Sequence, residues 1–401
     1  MKEYDVVIIG AGLAGLRCAG LLGACGVRVL LIDRKASLAD GIHTTGIFVR
    51  RTLEDFDLPD DCLGPPVRHV TLYSPARRAL MLESQHDEFR VGRMSRLYAH
   101  YLDECLRAGV EWSPKTRYTG CETITGSNSI DSIVRLETNN RAWSVRARYV
   151  VGADGARSRV AHDLKLDLNR EWIVGVEDVW RDVPLDGEPS FHCFLDPWLA
   201  PGYLAWMVHD GEETHVGVGG YAARFNPVQA LEEFRFDLSR MFDFSRARHL
   251  ARRGGRIPVG GVLRRIACAR GLLLGDAAGA VSPLTAGGLD PCMRLSGLAA
   301  GVIENYLATG KANALAPYSG ELFRRRFVSR LCLRRLISLV EQPALIEAAC
   351  ALLRLPLFSD FARHVFFGRG SFPDTPDAKG QFAHDTSFVE TEIAGNYVRS
   401  R

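Results

Sequence analysis

A strand pattern that runs straight into a glycine-rich turn and a helix pattern constrains the fold of this chain most. Residues 6–9 (Val-Val-Ile-Ile) form an apolar run of strand length, residues 10–15 read Gly-Ala-Gly-Leu-Ala-Gly, and residues 13–24 have a helical composition. The N-terminus of a helix presents unpaired N–H groups and the positive end of the helix dipole, which together suit phosphate groups. The segment therefore predicts an α/β domain that binds a dinucleotide through its pyrophosphate.

Each glycine of this turn is expected to have its own role. Gly10 permits the tight turn, Gly12 lets the backbone approach the pyrophosphate, and Gly15 allows the helix to pack closely on the strand. A second strand pattern, residues 27–32, ends at Asp33, whose carboxylate can accept hydrogen bonds from the hydroxyl groups of an adenosine ribose. The dinucleotide contacts predicted for this segment are Gly10, Gly12, Leu13, Ala14, Gly15, Asp33 and Arg34.

Two later glycine-bearing segments indicate which dinucleotide to expect. Residues 151–158 read Val-Gly-Ala-Asp-Gly-Ala-Arg-Ser, and residues 274–279 read Leu-Gly-Asp-Ala-Ala-Gly. FAD needs an aspartate at its ribityl chain as well as a pyrophosphate site, and Asp276 follows an apolar run and precedes small residues. Asp154 belongs to an Asp-Gly turn, a general turn signal, so it either packs near the nucleotide or has a purely structural role. The three segments together predict FAD.

Composition and charge exclude several other classes of protein. The chain has 401 residues, 47% of them hydrophobic, which is enough to bury a large core in one or two domains. The net charge of +3 is too small to indicate a nucleic-acid partner. The 10 cysteines form no Cys-x-x-Cys pair and no zinc spacing, so we expect reduced thiols and no metal site. Because no signal pattern precedes the first strand, we expect a cytoplasmic enzyme, and the sequence does not indicate its oligomeric state.

Strand and helix patterns assign the chain to two interleaved domains and a tail. The predicted fold class is α/β, with a Rossmann-like FAD-binding domain, an inserted β-rich substrate domain and a C-terminal helical region. Breaks in the helical region are expected at Pro343, Pro356 and Pro373. The predicted pieces are residues 1–65, 93–165 and 256–315 for the FAD-binding domain, 66–92 and 166–255 for the substrate domain, and 316–401 for the helical region.

Together with two further segments, the glycine motifs resemble those of a known family, the FAD-dependent geranylgeranyl reductase group of the aromatic-hydroxylase-like flavoprotein superfamily. Residues 281–297 (Val-Ser-Pro-Leu-Thr-Ala-Gly-Gly-Leu-Asp-Pro-Cys-Met-Arg-Leu-Ser-Gly) are similar to its PLTGGGI run. Residues 202–208 (Gly-Tyr-Leu-Ala-Trp-Met-Val) resemble its Y-x-W-x-F-P strand over the flavin. The resemblance spans roughly residues 5–310 and does not extend to the C-terminal helices.

The resemblance implies a set of flavin contacts in the second half of the chain. Asp276 would accept hydrogen bonds from the ribityl hydroxyls, and the backbone N–H groups of Gly287 and Gly288 would face the pyrimidine edge of the isoalloxazine. A helix beginning near Leu289 would direct its dipole there and stabilise negative charge on the reduced flavin. Arg93 or Arg96 either reaches the FAD phosphates or is solvated. The FAD contacts added by these arguments are Arg93, Asp154, Gly275, Asp276, Gly287, Gly288 and Leu289.

The loop after the Asp33 strand departs from the family pattern at the point that matters for catalysis. Reductases of this group often carry a cysteine there that faces the flavin, whereas residues 40–47 read Asp-Gly-Ile-His-Thr-Thr-Gly-Ile. Histidine has a pKa suited to acid–base work, so we expect His43 either to donate a proton beside the flavin or to serve as a hydrogen-bonding loop residue. His209 is a second candidate, with a position at the rim of the site as its alternative. Cys292 is either a packing thiol or a redox partner of the flavin.

The expected substrate site is the cleft between the two domains. Phe191, Tyr203 and Trp206 are expected to line it, or to belong to the ordinary core of the sheet, and they favour a small apolar or aromatic substrate. We expect hydride transfer between FAD and an unsaturated apolar substrate, with reduction of a carbon–carbon double bond first. An oxygen-dependent flavin monooxygenase is the alternative, and a flavin-binding scaffold or sensor is a third possibility. NAD(P)H or another reductant would supply the electrons.

A basic and apolar segment in the tail, residues 323–340, raises the question of membrane contact. Its arginines are spread around the helix axis and interrupt the apolar side, so the segment is not cleanly amphipathic. We expect an interrupted helix, or one packed on the domain, and no contact with a membrane.

Overall fold

The computed structural model describes residues 1–125, 130–185, 187–325 and 327–367. Its strands are β1 Glu3–Ile9, β2 Val29–Ile32, β3 Ile47–Val49, β4 His69–Tyr73, β5 Ala79–Glu83, β6 Phe89–Val91, β7 Glu111–Ser113, β8 Thr116–Thr125, β9 Ile130–Thr138, β10 Arg141–Gly152, β11 Trp172–Arg181, β12 Ser190–Phe194, β13 Ala205–His209, β14 Glu213–Gly220, β15 Arg248–Pro258, β16 Ala267–Cys268 and β17 Gly271–Leu273. Its helices are α1 Leu13–Ala24, α2 Arg50–Asp55, α3 Met94–Arg107, α4 Arg159–Asp163, α5 Pro227–Leu238, α6 Leu289–Thr309, α7 Gly320–Arg325, α8 Val328–Ser338, α9 Pro343–Leu353 and α10 Pro356–Phe367.

The first sheet has the parallel order that a dinucleotide site requires. Its strands run β16-β17-β10-β1-β2-β7, and β1 pairs in parallel with both β2 and β10. The strands β8 and β9 extend it as an antiparallel ribbon on β10. Because this sheet is covered on both faces, β1 and β2 are nearly continuous apolar runs. The helix α1 packs against both α3 and α6 beside it, and the buried side chains of the three helices form the main core with the strands.

The second sheet is largely antiparallel and has two different faces. Its strand order is β15-β11-β14-β13-β12-β4-β5. Side chains alternate along a strand, so Ala205 and Met207 point toward α5, whereas Trp206 and Val208 point the other way. Val91, at the end of β6, packs against that second pair. The face opposite α5 is therefore the one that meets the first half of the chain.

The tail beyond residue 316 is helical as far as the structure describes it. Pro343 and Pro356 are the first residues of α9 and α10, where proline lacks only an N–H that would be unpaired anyway. The segment 323–340 is divided between α7 and α8, and Arg324 donates to the carbonyl oxygens of Gly260 and Val262. Pro373 and the rest of 368–401 lie outside the described residues. No helix in the described ranges is both long and apolar enough to span a bilayer.

The predicted α/β class is confirmed, with a parallel nucleotide-type sheet, a second β-rich layer and a helical C-terminal region. The predicted domain boundaries at residues 65, 92, 165, 255 and 315 stay a prediction.

Candidate active site

The glycine-rich turn after β1 has no room for side chains at two of its positions. A Cβ on Gly10, whose φ is +103°, would lie 2.2 Å from the carbonyl oxygen of Ala153. A Cβ on Gly15 would lie 1.9 Å from the carbonyl oxygen of Gly10. These contacts bring the end of β1, the start of α1 and the end of β10 together at one point of the sheet edge.

Gly12 differs from its two neighbours because it faces open space. A Cβ on Gly12 would meet no atom within 4 Å, and this residue is the N-cap of α1. The first backbone hydrogen bond of the helix runs from Leu16 N–H to the Gly12 carbonyl, so the N–H groups of Leu13, Ala14 and Gly15 precede it. Free space and helix-terminal donors at the same place are what a pyrophosphate requires.

The Asp33 carboxylate is fixed by the backbone on both sides. Its Oδ2 accepts from the Ala11 N–H and its Oδ1 from the Lys35 N–H, each at 2.9 Å. A carboxylate oxygen has two lone pairs, so both oxygens can accept a further hydrogen bond. Arg34 follows directly and is exposed. The ribose contact of Asp33 stays a prediction, and so does the role of Arg34.

The acidic side chain of the late glycine segment lies beside the start of α1. Gly275 adopts a φ of +54°, and a Cβ there would lie 3.1 Å from the Cβ of Ala14. The half-buried Asp276 carboxylate has no hydrogen-bond partner among the described residues, and burial raises its pKa to about 6. The Cys292 thiol is buried nearby, and burial followed by the Asp276 charge raises its pKa to about 12. A raised pKa keeps the Cys292 thiol protonated at neutral pH, and its role as a packing thiol or a redox partner stays a prediction.

The loop before α6 lies beside Asp276. Gly288 is the N-cap of α6, which begins at Leu289, and the carbonyl of Gly287 accepts from the Ser282 N–H at 2.9 Å. A Cβ on Gly288 would be 3.7 Å from Asp276 Oδ1. The predicted flavin-facing loop and the predicted ribityl aspartate are thus neighbours in the fold.

Two other residues predicted to contact FAD make contacts within the protein. Asp154 accepts hydrogen bonds from the Ser158 hydroxyl and from the Arg159 and Val160 N–H groups, which fixes the start of α4. Arg93 donates to the carbonyl oxygens of Asp61 and Asp210 and lies 3.3 Å from the Glu212 carboxylate. Arg96 also pairs with Glu212. The proposed FAD contacts of Asp154 and Arg93 stay predictions.

On the second sheet, the predicted pocket residues share the face opposite α5. The Trp206 ring lies across Gly217 of the neighbouring strand, where a Cβ would be 2.2 Å from Trp206 Cζ2. The Tyr203 ring lies over Gly219 in the same way, at 2.7 Å from such a Cβ, and its hydroxyl donates to the Thr285 carbonyl at 2.7 Å. Phe191 packs on this face beside Trp206. We call the side-chain-free patch of this face the glycine floor; it consists of Gly175, Gly217, Gly219 and Gly255.

His43 lies beside the glycine floor in the loop after β2, and much of its surface is exposed. A Cβ on Gly255 would be 3.6 Å from the His43 Cβ. Burial lowers the pKa of His43 and the nearby Lys35 lowers it further, against a hydrogen bond with the Gly254 backbone. His43 is therefore neutral at neutral pH. His209, the second histidine candidate, accepts the Gly211 N–H at Nδ1, and burial lowers its pKa as well.

Sequence reasoning missed a buried cluster on this face. The cluster consists of Glu177 on β11, His215 on β14, and Asp210 in the turn between β13 and β14. Each of the three is less than 6% exposed. Glu177 also contacts Thr45, a loop residue that the sequence analysis did not single out. A strand segment with Glu, Asp or His at inward positions is only a weak sign of a buried polar cluster. The strand register that brings such residues together cannot be read from the sequence.

Tyr98 on α3 is buried, and charged groups from both halves of the site act on its pKa. Burial raises its pKa, the Asp276 and Asp33 carboxylates raise it further, and Arg253 of β15 lowers it. Arg253 is the residue opposite Glu177 on the second sheet. The predicted nucleotide side chains and the polar cluster thus border one region.

Comparison with known proteins agrees with this arrangement. A family model described as FAD binding domain matches residues 3–332. The chain belongs to the FAD-binding domain family. The digeranylgeranylglycerophospholipid reductase of Methanocella arvoryzae is 26% identical over 334 residues, which are 80% of this chain and 83% of that protein. The family match and this relative confirm the resemblance to the geranylgeranyl reductase group and identify an FAD-dependent oxidoreductase.

Two solved structures share the fold of this chain. A geranylgeranyl bacteriochlorophyll reductase-like protein of Thermoplasma acidophilum superposes with a TM-score of 0.79 at 18% identity, covering 92% of this chain and 98% of that one. The p-nitrophenol 4-monooxygenase of Pseudomonas putida gives a TM-score of 0.67 at 17% identity, covering 92% and 100%. At these identities the likeness concerns the fold alone, and a fold does not determine the chemistry.

Proposed function

We propose that this protein uses FAD to reduce carbon–carbon double bonds in a prenyl-chain substrate. The observation that carries the proposal is the glycine floor, on which the Trp206 and Tyr203 rings lie, on the sheet face that meets the nucleotide half of the site. The two rings give this face an apolar surface, against which we propose that an extended hydrocarbon chain binds. The relatives named for reduction of digeranylgeranylglycerophospholipids favour the same substrate class.

The residues around the cleft fit FAD. We propose that the α1 N-terminus at Gly12, Leu13, Ala14 and Gly15 holds the pyrophosphate, since donors and free space coincide there. The unpartnered Asp276 carboxylate is suited to the ribityl hydroxyls, and the backbone of Gly287 and Gly288 to the pyrimidine edge of the flavin. The remaining proposed contacts are Gly10, Asp33, Arg34, Arg93, Gly275 and Leu289. Asp154 either packs near the nucleotide or is purely structural, and its three hydrogen bonds within the protein favour the structural role.

In this proposal FAD, once reduced by NAD(P)H or another reductant, supplies the hydride. The protein orients the chain and excludes water: Trp206 and Tyr203 pack against the substrate, Phe191 extends the apolar wall, and the Tyr203–Thr285 hydrogen bond holds the wall against the α6 loop. A reacting double bond held between an apolar wall and the flavin is shielded from side reactions with water.

The test is a single-turnover experiment under anaerobic conditions. The FAD-loaded protein is reduced, mixed with a digeranylgeranylglycerophospholipid in detergent micelles, and followed by flavin absorbance. We expect the oxidised flavin spectrum to return and the lipid to gain one pair of hydrogen atoms for each bond reduced. The same lipid with saturated chains is the control and should leave the flavin reduced.

The competing monooxygenase function has its own signature in the same apparatus. Flavin that stays reduced with the unsaturated lipid, but yields a hydroxylated product when oxygen is admitted, would contradict the reductase proposal. Protein that purifies without flavin and binds none would contradict both functions.

A further inference from the structure

A continuous line of polar groups crosses the boundary between the two sheets. The Thr45 hydroxyl donates to Glu177 Oε2 at 2.5 Å, and Glu177 Oε1 lies 3.2 Å from His215 Nδ1. On its other side, His215 Nε2 lies 3.5 Å from Asp210 Oδ2. The order of groups is hydroxyl, carboxylate, imidazole, carboxylate, and we call these four residues the polar line.

The register of the second sheet explains why the line forms. Glu177 is opposite Gly217, and Gly217 is opposite Trp206 on the next strand. Because Gly217 has no side chain, the Trp206 ring reaches across it and donates its indole N–H to Glu177 Oε2 at 3.3 Å. The oxygen that contacts Thr45 therefore also contacts the aromatic wall of the cleft.

Buried carboxylates require compensation, and His215 supplies it. Burial alone would lower the pKa of His215, but the Glu177 and Asp210 carboxylates outweigh burial and raise it to about 9. Burial opposes ionisation of Asp210 too, yet His215 and the N–H groups of Glu213 and Glu212 lower its pKa to about 2. At neutral pH the imidazole therefore carries a proton between two ionised carboxylates.

The other charged groups near His215 contact its neighbours and not the imidazole itself. Arg253 lies 3.9 Å from Glu177 Oε1 and 4.0 Å from Glu213 Oε2, and Arg181 lies 2.9 Å from Glu213. Arg93 donates to the Asp210 carbonyl, and the pKa of the adjacent His209 is lowered by burial, so that ring is neutral. The two direct partners of His215 are both acidic.

The two ends of the line face different surroundings. Thr45 lies in the loop next to His43 and the glycine floor, where the reacting chain is proposed to bind. The outer end lies at the β13–β14 turn, where Gly211 and Glu212 are exposed. A proton taken from His215 can therefore be replaced from water at that turn.

We propose that the polar line delivers the proton that completes double-bond reduction, with Thr45 as the group that gives it to the substrate carbon and His215 as the store. The proposal rests on the proposed reductase function. As hydride adds to one carbon, the π electrons form the second C–H bond with the Thr45 hydroxyl proton. For this step the Thr45 hydroxyl, which donates to Glu177 Oε2 in the structure, turns toward the substrate carbon. Glu177, ionised at the start, then accepts a proton from His215 Nδ1 and gives it to the Thr45 oxygen, so that it is ionised again at the end. Water reprotonates His215 and leaves a hydroxide ion in the solvent.

The charge and electron balance closes with the reductant named above, which reduces FAD before each turnover, and with water as the source of the proton. The alkene gains one hydride and one proton, the flavin loses two electrons, and the protein returns to its starting protonation state after each turnover. Among the four residues of the polar line only Thr45 touches the substrate, so Glu177, His215 and Asp210 are positioning and proton-holding residues.

The experiment compares Thr45→Val, Thr45→Ser and His215→Gln with a matched control, His249→Gln. His249 pairs with Asp178, the neighbour of Glu177 on β11, at 3.0 Å and on the opposite face of the sheet. Each purified holoprotein is first checked for FAD content and melting temperature. Steady-state turnover of the digeranylgeranylglycerophospholipid with excess dithionite, and single-turnover flavin oxidation by the same lipid, are then measured in H₂O and D₂O against pH.

We expect Thr45→Val and His215→Gln to lower kcat by roughly 10²-fold, with KM changed by less than about threefold, because general-acid assistance contributes on that scale. Thr45→Ser should restore most of the rate, and His249→Gln should behave as the wild type. Oxidation of the reduced flavin by ferricyanide, which needs no proton at carbon, should be unchanged in all four.

A readout independent of turnover uses NMR titration of isotope-labelled histidine. In the apoprotein we expect His215 to titrate near pH 9 and to shift toward lower pH in Glu177→Gln, where one carboxylate charge is gone. If Thr45→Val has the same kcat and pH profile as the wild type, the relay is wrong and the reductase proposal is unaffected. A wild type that never oxidises its flavin with the lipid would instead overturn the reductase proposal, and the relay with it.

Discussion

The two halves of the candidate site are built from different parts of the polypeptide. The nucleotide half uses backbone: glycine turns, helix-terminal N–H groups and close contacts between main chains at Gly10 and Gly15. The second sheet uses side chains: a buried acid–imidazole cluster and aromatic rings on a glycine floor. Backbone sites are specified within short contiguous segments, whereas the side-chain cluster depends on the pairing of strands that are distant in sequence.

The sharpest test of the backbone half is Gly12→Val. Its Cβ meets no atom within 4 Å in the protein, so we expect a folded apoprotein with a melting temperature close to that of the wild type. The same side chain occupies the space proposed for the pyrophosphate, so we expect no FAD to remain bound after gel filtration. Gly20→Ala in the same helix, where the nearest atom is 3.6 Å away, is the control and should keep FAD. Full FAD content in Gly12→Val would place the pyrophosphate elsewhere.

The corresponding test of the side-chain half is Gly217→Ala. Its Cβ would lie 2.2 Å from the Trp206 ring, which must move and give up its hydrogen bond to Glu177. Overpacking of this kind costs about 1–3 kcal/mol, so we expect a lower melting temperature and altered tryptophan fluorescence. Gly175→Ala is the control, since its Cβ comes no nearer than 3.4 Å to Ile257 and 3.8 Å to Trp206. Equal behaviour of the two variants would contradict the description of the Trp206 packing.

Substitution of Asp276 and of Asp154 by alanine distinguishes an aspartate that contacts the ligand from one that stabilises the fold. Asp276→Ala should raise the dissociation constant for FAD by roughly 10- to 10²-fold, since a charge-assisted hydrogen bond is worth about 1.5–3 kcal/mol. Asp154→Ala removes the acceptor of three protein hydrogen bonds and should lower the melting temperature of the apoprotein instead. Isothermal titration with FAD and thermal melts without it distinguish the two effects. An unchanged FAD affinity in Asp276→Ala would move the ribityl contact to another residue.

Stability against pH tests the charge state of His215. Its pKa is raised to about 9 in the folded protein, above the value of about 6.5 in an unfolded chain. The stabilisation is fully present below the unfolded value and is lost as pH rises through about 9. We expect the wild type to lose on the order of 1–3 kcal/mol over that window relative to His215→Gln. If the free energy of unfolding changes with pH in the same way in the wild type and in His215→Gln, His215 is neutral in the folded protein.

The smallest effect is expected from His43→Ala. Because burial and Lys35 lower the pKa of His43, its ring is neutral at neutral pH and is a poor store for a proton. We expect FAD to stay bound and turnover to fall by less than about threefold, compared with a loss of roughly 10²-fold for a general acid. A loss on that larger scale, with one limb of the pH profile missing, would support the catalytic role predicted for His43 from the sequence.

The sequence predicted the α/β class and FAD, because the strand, turn and helix that carry them follow one another along the chain. It also named Trp206 and Tyr203 from a local motif. Glu177 and His215 escaped notice because they are 38 residues apart and meet only through the β11–β14 register. A shift of one residue in that register would place them on opposite faces. The same limit applies to Thr45, whose partner lies on the other sheet.

The glycine floor also bears on which bond of a substrate can react. A polyprenyl chain carries double bonds at regular intervals, and the depth to which the chain enters the cleft determines which one lies against the flavin. A Cβ on Gly175 or Gly255 would come no nearer than 3.4 Å and 3.6 Å to its neighbours, so a single methyl group fits at either position. Regiochemistry and the extent of saturation could therefore change through one such addition while the fold and the cofactor site stay as they are.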